Sequence, residues 1–221
     1  MVGEKDPVLI LDRLRPLYGE GVYPGRSDKR PRPEWMDSPF HVLIATVLSQ
    51  RTRDENTREA SDCLFTALPT IEAMAGADTE HIEQLVRKAG FPVQKAKAIK
   101  SIARIVIDDH GGKLPADMDI LLNMPMVGRK TANCVLAYAF NVPAICVDTH
   151  VHRISNLIGL VRSADPDETE LQLREIVPEP LWKDINALMV RHGQVICIPR
   201  RPKCQECPVK AQCDHGSSPD R

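Results

Sequence analysis

Apolar residues recur along the chain at three- and four-residue spacings, and they never alternate with polar residues over the length of a strand. The segment DPVLILDRLRPLYG predicts a first helix stopped by Gly19, followed by a Pro/Gly/Arg-rich connector, EGVYPGRSDKRPRPEWMD. Ser38 followed by Pro39 predicts a capped helix over SPFHVLIATVLSQ, because proline fits the first helical position, where no N–H partner is needed. Asp54 is the expected cap of RDENTREASDCLFTAL, and DTEHIEQLVRKAG is expected to run from an Asp78 cap to Gly90. In VQKAKAIKSIARIVIDDHGG, Ile99, Ile102 and Val106 share a helical face, and Gly111-Gly112 ends it. A short helix over MDILLNM and an amphipathic one over GRKTANCVLAYAF follow, the latter with Ala132, Val135, Leu136 and Ala139 on one face. DTHVHRISNLIGL, DETELQLREIV and PLWKDINALMVRHGQVIC complete an all-α reading.

The 221 residues suffice for one large domain or two small ones, and 43% hydrophobic with 27% charged residues is a soluble globular composition. No apolar run reaches the roughly 20 residues of a membrane span. The N-terminal segment carries acids early and has no signal-peptide pattern, so the expected location is the cytosol. A net charge of −1 gives no global sign of a polyanionic partner, but the charge is uneven. Residues Arg87–Arg104 carry lysine and arginine with no acid, and Arg191–Lys210 carry five basic residues against Glu206. Residues Asp165–Pro180 are strongly acidic. Each run alone reads equally well as a solvated face; two basic runs flanking one distinctive lysine favour a polyanion.

Four of the seven cysteines crowd the tail as C-x6-C-x2-C-x5-C: Cys197, Cys204, Cys207 and Cys213. Cys63, Cys134 and Cys146 lie in apolar contexts and read as buried free thiols. An odd count and a compact cluster of four favour a metal site in a reducing compartment over a disulfide framework. Zinc and an iron–sulfur cluster both accept four thiolates. A single close pair, with all four sulfurs in one compact loop, suits a cubic cluster better than a two-knuckle zinc ribbon. Arg200, Arg201 and Lys203 lie between the first two cysteines, either to meet phosphates or to offset the charge of the metal centre.

The segment MPMVGRKTANCVL, residues 124–136, sets a glycine turn before a helix and a lysine one turn into it. Cations are disfavoured there, because the positive end of the helix dipole opposes the ammonium form. An amine that loses its proton easily is a nucleophile. The turn between two helices also presents backbone N–H groups to an anion, as a DNA phosphate contact without sequence reading requires. Eighteen residues after Lys130, Asp148 follows an apolar run and precedes a helix. It reads either as a helix cap or as the carboxylate that takes a proton from the lysine and balances a sugar cation.

MPMVGRKTANCVLAYAFNVPAICVDTHVHR, together with the cysteine tail, resembles the endonuclease III family of DNA glycosylases, which typically reads L-P-G-V-G-R-K-T-A and then V-D-T-H. SPFHVLIATVLSQRTRDENT and GFPVQKAKAIK also look like family segments, so the resemblance spans about Ser38 to Cys213. It implies two helical domains: a six-helix domain with the helix–hairpin–helix over 32–141, and a second built from 1–31 with 142–221 that holds a [4Fe–4S] cluster in the 197–213 loop. A DNA groove would lie between them. It implies a Lys130 Schiff-base nucleophile, an Asp148 carboxylate and cluster ligation by the four tail cysteines. Gln50 would fill the space of a flipped nucleotide and Phe91 would wedge into the stack; their plainer readings are a helix-end polar residue and a core anchor. Val127, Gly128, Arg129 and His150 complete the expected DNA contacts. The implied enzyme is a monomeric, prokaryotic, cytoplasmic and nucleoid-associated glycosylase and abasic-site lyase. It acts on double-stranded DNA with oxidised pyrimidines or abasic sites and has no membrane partner. Two rivals are a mismatch or adenine glycosylase on the same scaffold and a non-enzymatic iron–sulfur DNA-binding protein. Two positions depart from the family pattern: Met126 stands where glycine is usual, and Pro92-Val93 follows Phe91.

Overall fold

A computed structural model describes residues 5–18 and 34–217. Among these, every regular element is helical. The α-helices are α1 (Pro7–Tyr18), α2 (Pro39–Ser49), α3 (Asp54–Ala67), α4 (Ile71–Gly76), α5 (Thr79–Leu85) and α6 (Pro92–His110). They continue with α7 (Met118–Leu122), α8 (Arg129–Ala139), α9 (Thr149–Ile158), α10 (Pro166–Ile176) and α11 (Trp182–Val195). Single 3-10 turns occur at Glu34–Asp37, Glu179–Leu181, Cys204–Glu206 and Lys210–Gln212. No helix is long and apolar enough to cross a membrane.

The helices segregate into two compact units, one over 34–142 and one joining 5–18 to 143–217. In the first, α2 is buried on nearly every side and packs on α3, α6 and α8, while α4 and α5 lie against α6. A helix apolar all round belongs at the centre of a bundle. Ser38 caps it as predicted, its hydroxyl accepting from His41 N–H. In the second unit, α9 packs on α10 and α11, and α1 on α11. Ile10, Leu14, Ile154, Leu173, Ile185 and Leu188 form part of its core.

Several boundaries differ from the sequence reading. Arg53, not Asp54, occupies the N-cap position of α3, without a side-chain cap, and Asp54 supplies a first-turn acid instead. Helix α5 stops at Leu85, and Gly90 instead belongs to the turn that starts α6. Helix α4 is a short element that the hydrophobic pattern does not announce, capped by Thr70. Cys63 is a free thiol but exposed rather than buried, whereas Cys134 and Cys146 are buried as expected but disulfide-bonded rather than free. The Gly19 stop and most of the connector lie outside the described residues.

Candidate active site

Helices α7 and α8 form a hairpin joined by residues 123–128. Asp117 caps α7, and Gly128 occupies the N-cap position of α8 with no side-chain cap. Lys130 is therefore the second residue of α8, and it is exposed. Gly128 has an extended backbone; the left-handed residue of the turn is Met126, at φ 62°. A side chain in that conformation costs about 1–2 kcal/mol, so the departure from glycine carries strain. Nothing stands within 4 Å of where a Cβ on Gly128 would be, which leaves the helix entrance open. Arg129 is half-buried. Val127 is buried and its N–H donates to the Met124 carbonyl at 3.1 Å, so its visible part in the turn is packing.

Gln50, the C-cap of α2, reaches the same hairpin. Its Nε2 donates to the Met126 carbonyl at 2.7 Å and to Thr131 Oγ1 at 3.2 Å. Phe91 is 50% exposed, which removes the core-anchor reading. It is left-handed at φ 59° and immediately precedes Pro92, the first residue of α6. The Arg51 guanidinium lies 5.7 Å from its ring centre, within cation–π range.

Lys95 falls within the basic run 87–104, but it is fully buried. Its ammonium donates to the carbonyls of Leu48 (2.8 Å) and Gln50 (2.7 Å) and to Thr52 Oγ1 (2.8 Å). Burial pushes its pKa down to about 8, which still leaves it charged at neutral pH. The sequence held a signal for this: Lys95 precedes Ile99, Ile102 and Val106 by four, seven and eleven residues, on their apolar stripe. Elsewhere in the run, Lys88 pairs with Glu59 and Lys100 donates to the Ala77 carbonyl, while Arg87, Lys97 and Arg104 are exposed.

In the other unit, Asp148 is the N-cap of α9. Its Oδ1 accepts from His150 N–H and Val151 N–H, both at 2.9 Å. Anchoring by two backbone N–H groups at a helix start fixes the orientation of the carboxylate. His150 packs with Nδ1 against Gly193 of α11, and a Cβ there would collide with the ring. That nitrogen is buried and has no hydrogen-bond partner among the described residues.

The four tail cysteines line one largely apolar pocket with Ile154, His192 and Val209. Among the described residues, no group of three or more His, Cys, Asp or Glu side chains stands ready as a metal site. The donor chemistry nevertheless suits an iron-bearing group. Arg153 Nη1 lies 3.5 Å from Cys197 Sγ, with Nη2 on the Cys197 carbonyl at 2.7 Å. His192 Nε2 lies 3.5 Å from Cys207 Sγ, and Gly216 N–H donates to Cys213 Sγ at 3.3 Å. Burial pushes the Cys207 thiol up to about 11 and raises that of Cys213, so thiolates here need a bound cation to balance them. His192 is held neutral, its pKa lowered to about 4 by burial and then by Arg153, and Nδ1 meets the Tyr18 hydroxyl at 3.0 Å. Sequence reading singles out neither Arg153 nor His192, because partners of a ligand carry no spacing signature.

The model of the HhH-GPD superfamily base excision DNA repair proteins matches residues 44–179. The endonuclease III of Thermotoga maritima is 48% identical over 83% of this chain and 86% of its own length. That of Synechocystis is 38% identical over 80% and 81%. A trapped endonuclease III–DNA covalent intermediate superposes with TM-score 0.84 at 33% identity, covering 97% of both chains. A non-covalent endonuclease III–DNA complex gives 0.83, also at 33% identity, over 95% of this chain and 94% of the other. With the hairpin lysine, the α9 carboxylate and the cysteine loop in place, the chain belongs to the HhH-GPD superfamily of base excision DNA repair proteins, as a member of the endonuclease III family.

Proposed function

We propose that the protein excises oxidised pyrimidines from double-stranded DNA and then nicks the abasic strand, with Lys130 as nucleophile. The observation that carries this reading is Lys130 at the uncapped, open N-terminus of α8, in a chain 48% identical to an endonuclease III. An aligned helix entrance disfavours the ammonium form and so favours the free amine.

The target nucleotide leaves the stack at a cost of a few kcal/mol, less for a damaged base. Lys130 Nζ bonds to the sugar C1′, the glycosidic bond breaks, and its electron pair leaves with the base. Asp148, held by two N–H groups, balances the developing sugar cation and takes the proton that the amine releases. The ring opens to a protonated Schiff base, which acidifies the C2′ proton. Loss of that proton expels the 3′ phosphate and cuts the strand, and water then frees the lysine.

Gly128 and the start of α8 would receive a phosphate through backbone N–H groups. Arg129, His150 and exposed residues of the basic runs would add further phosphate contacts. Gln50 and Phe91 would enter the duplex. Cys197, Cys204, Cys207 and Cys213 would hold a [4Fe–4S] cluster, which supplies rigidity to the Arg200–Lys203 stretch rather than chemistry to the reaction. The test is a panel of duplex oligonucleotides, each with one oxidised pyrimidine. Release of the base with strand cleavage on the 3′ side is expected; base release without cleavage would identify a monofunctional glycosylase, and neither would identify a binding protein.

A further inference from the structure

Three non-glycine residues of the 34–142 unit are left-handed around one junction: Arg51 (φ 48°), Phe91 (φ 59°) and Met126 (φ 62°). A side chain strains that conformation, and such strain persists only where the surroundings hold it. Around Arg51 and Phe91 the holding groups are Lys95 and Thr52, while the Met126 carbonyl is held by Gln50 Nε2. Thr52 Oγ1 accepts from Lys95 Nζ at 2.8 Å and from Gly90 N–H at 3.0 Å, and donates to the Gln50 carbonyl at 3.0 Å. The same Gln50 carbonyl accepts from Lys95 at 2.7 Å. Gly90 must lack a side chain, because a Cβ there would run into the Arg51 carbonyl oxygen. The Gln50 turn and the Phe91 loop are thus adjacent backbones joined through one half-buried hydroxyl and one buried ammonium.

We propose that Lys95 and Thr52 are positioning residues that lock the Gln50 turn and the Phe91 loop into a single rigid unit, so that both side chains enter the duplex together. The inference rests on the reading of Gln50 and Phe91 as inserting residues. Lys95 has no route to solvent, so phosphate neutralisation does not account for it. Capping the end of α2 accounts for its bond to Leu48 but not for the Thr52 link to Gly90, 38 residues away.

The test compares Thr52→Val, Thr52→Ser and Lys95→Met in single-turnover excision from two duplexes, one with the lesion base-paired and one with it opposite a one-nucleotide gap. Thr52→Val keeps the shape of the side chain and removes only the hydroxyl. Thr52→Val and Lys95→Met are expected to slow excision of the paired lesion about tenfold or more, with a clearly smaller loss opposite the gap. Thr52→Ser should restore the wild-type ratio between the two substrates. Equal losses on both substrates, or no loss for Thr52→Val, would reduce the pair to a helix cap and overturn the proposal. Phe91→Ala in the same assay separates the two levels. If Phe91→Ala does not discriminate paired from gapped DNA, the insertion reading itself fails, whatever Thr52→Val does.

Discussion

Asp148 closes the N-terminus of α9 through Oδ1, and its proposed catalytic duty rests on the same carboxylate. The two roles separate by substitution. Asn caps as well as Asp, so Asp148→Asn should keep its thermal midpoint while base excision falls by orders of magnitude. Asp148→Ala should lose both, with about 1 kcal/mol of stability gone with the cap. Equal melting and equal activity for Asp148→Asn and the wild type would leave Asp148 a cap and nothing more. Lys95 offers a second residue-level test through pH. Its pKa is lowered to about 8 in the fold from an ordinary 10.5, so between those values the unfolded chain binds more protons than the folded one. Stability therefore gains a rising contribution as pH climbs from about 8 to about 10.5. Subtracting the melting curve of Lys95→Met from that of the wild type should expose it, and a difference that is flat or falls over this window would contradict the assigned burial cost.

At the scale of elements, the helices were legible where caps and apolar stripes agree. Ser38 with Pro39 marks the start of α2 because cap and proline chemistry are local, whereas the sequence reading passes over the similar Asp165-Pro166 start of α10 in favour of DETELQLREIV. It passes over helix α4 as well, although it finds the shorter α7, and packing on α6 decides the conformation of α4. The charged runs were legible only in part, since a count of lysines does not distinguish Lys95, on the apolar stripe, from exposed Lys97. Their roles diverge in a salt titration of DNA binding. Replacing Arg200, Arg201 or Lys203 by Ala should lower the slope of log affinity against log salt by about 0.9 for each phosphate that the variant no longer neutralises. Lys95→Met should leave that slope alone, and a matching drop for Lys95→Met would mean that it reaches DNA after all. The hairpin turn carries its own signal in Met126. Met126→Gly relieves a left-handed side chain and should stabilise the protein by up to about 1 kcal/mol in denaturant unfolding; a loss of stability would contradict the strain assigned to Met126.

For the molecule as a whole, the all-α class, the hairpin lysine and the cysteine loop were readable because each rests on spacing within a short segment. The Gln50–Thr52–Lys95–Gly90 junction was not, because its parts lie up to 45 residues apart and meet only in the folded chain. The same holds for Arg153 and His192 beside the tail sulfurs. The purified protein should contain iron and inorganic sulfide and show the broad visible absorbance of a thiolate-bound cluster, and stoichiometric zinc without iron would contradict that assignment. The central claim is the covalent one: the amine of Lys130 attacks the sugar. Borohydride added during turnover reduces a Schiff base to a stable bond, so the protein should become fixed to lesion-bearing duplex, with the adduct on the peptide containing Lys130. Lys130→Gln should still bind that duplex and form no adduct. A trapped adduct on Lys130→Gln at the wild-type rate would place the nucleophile elsewhere and contradict the account.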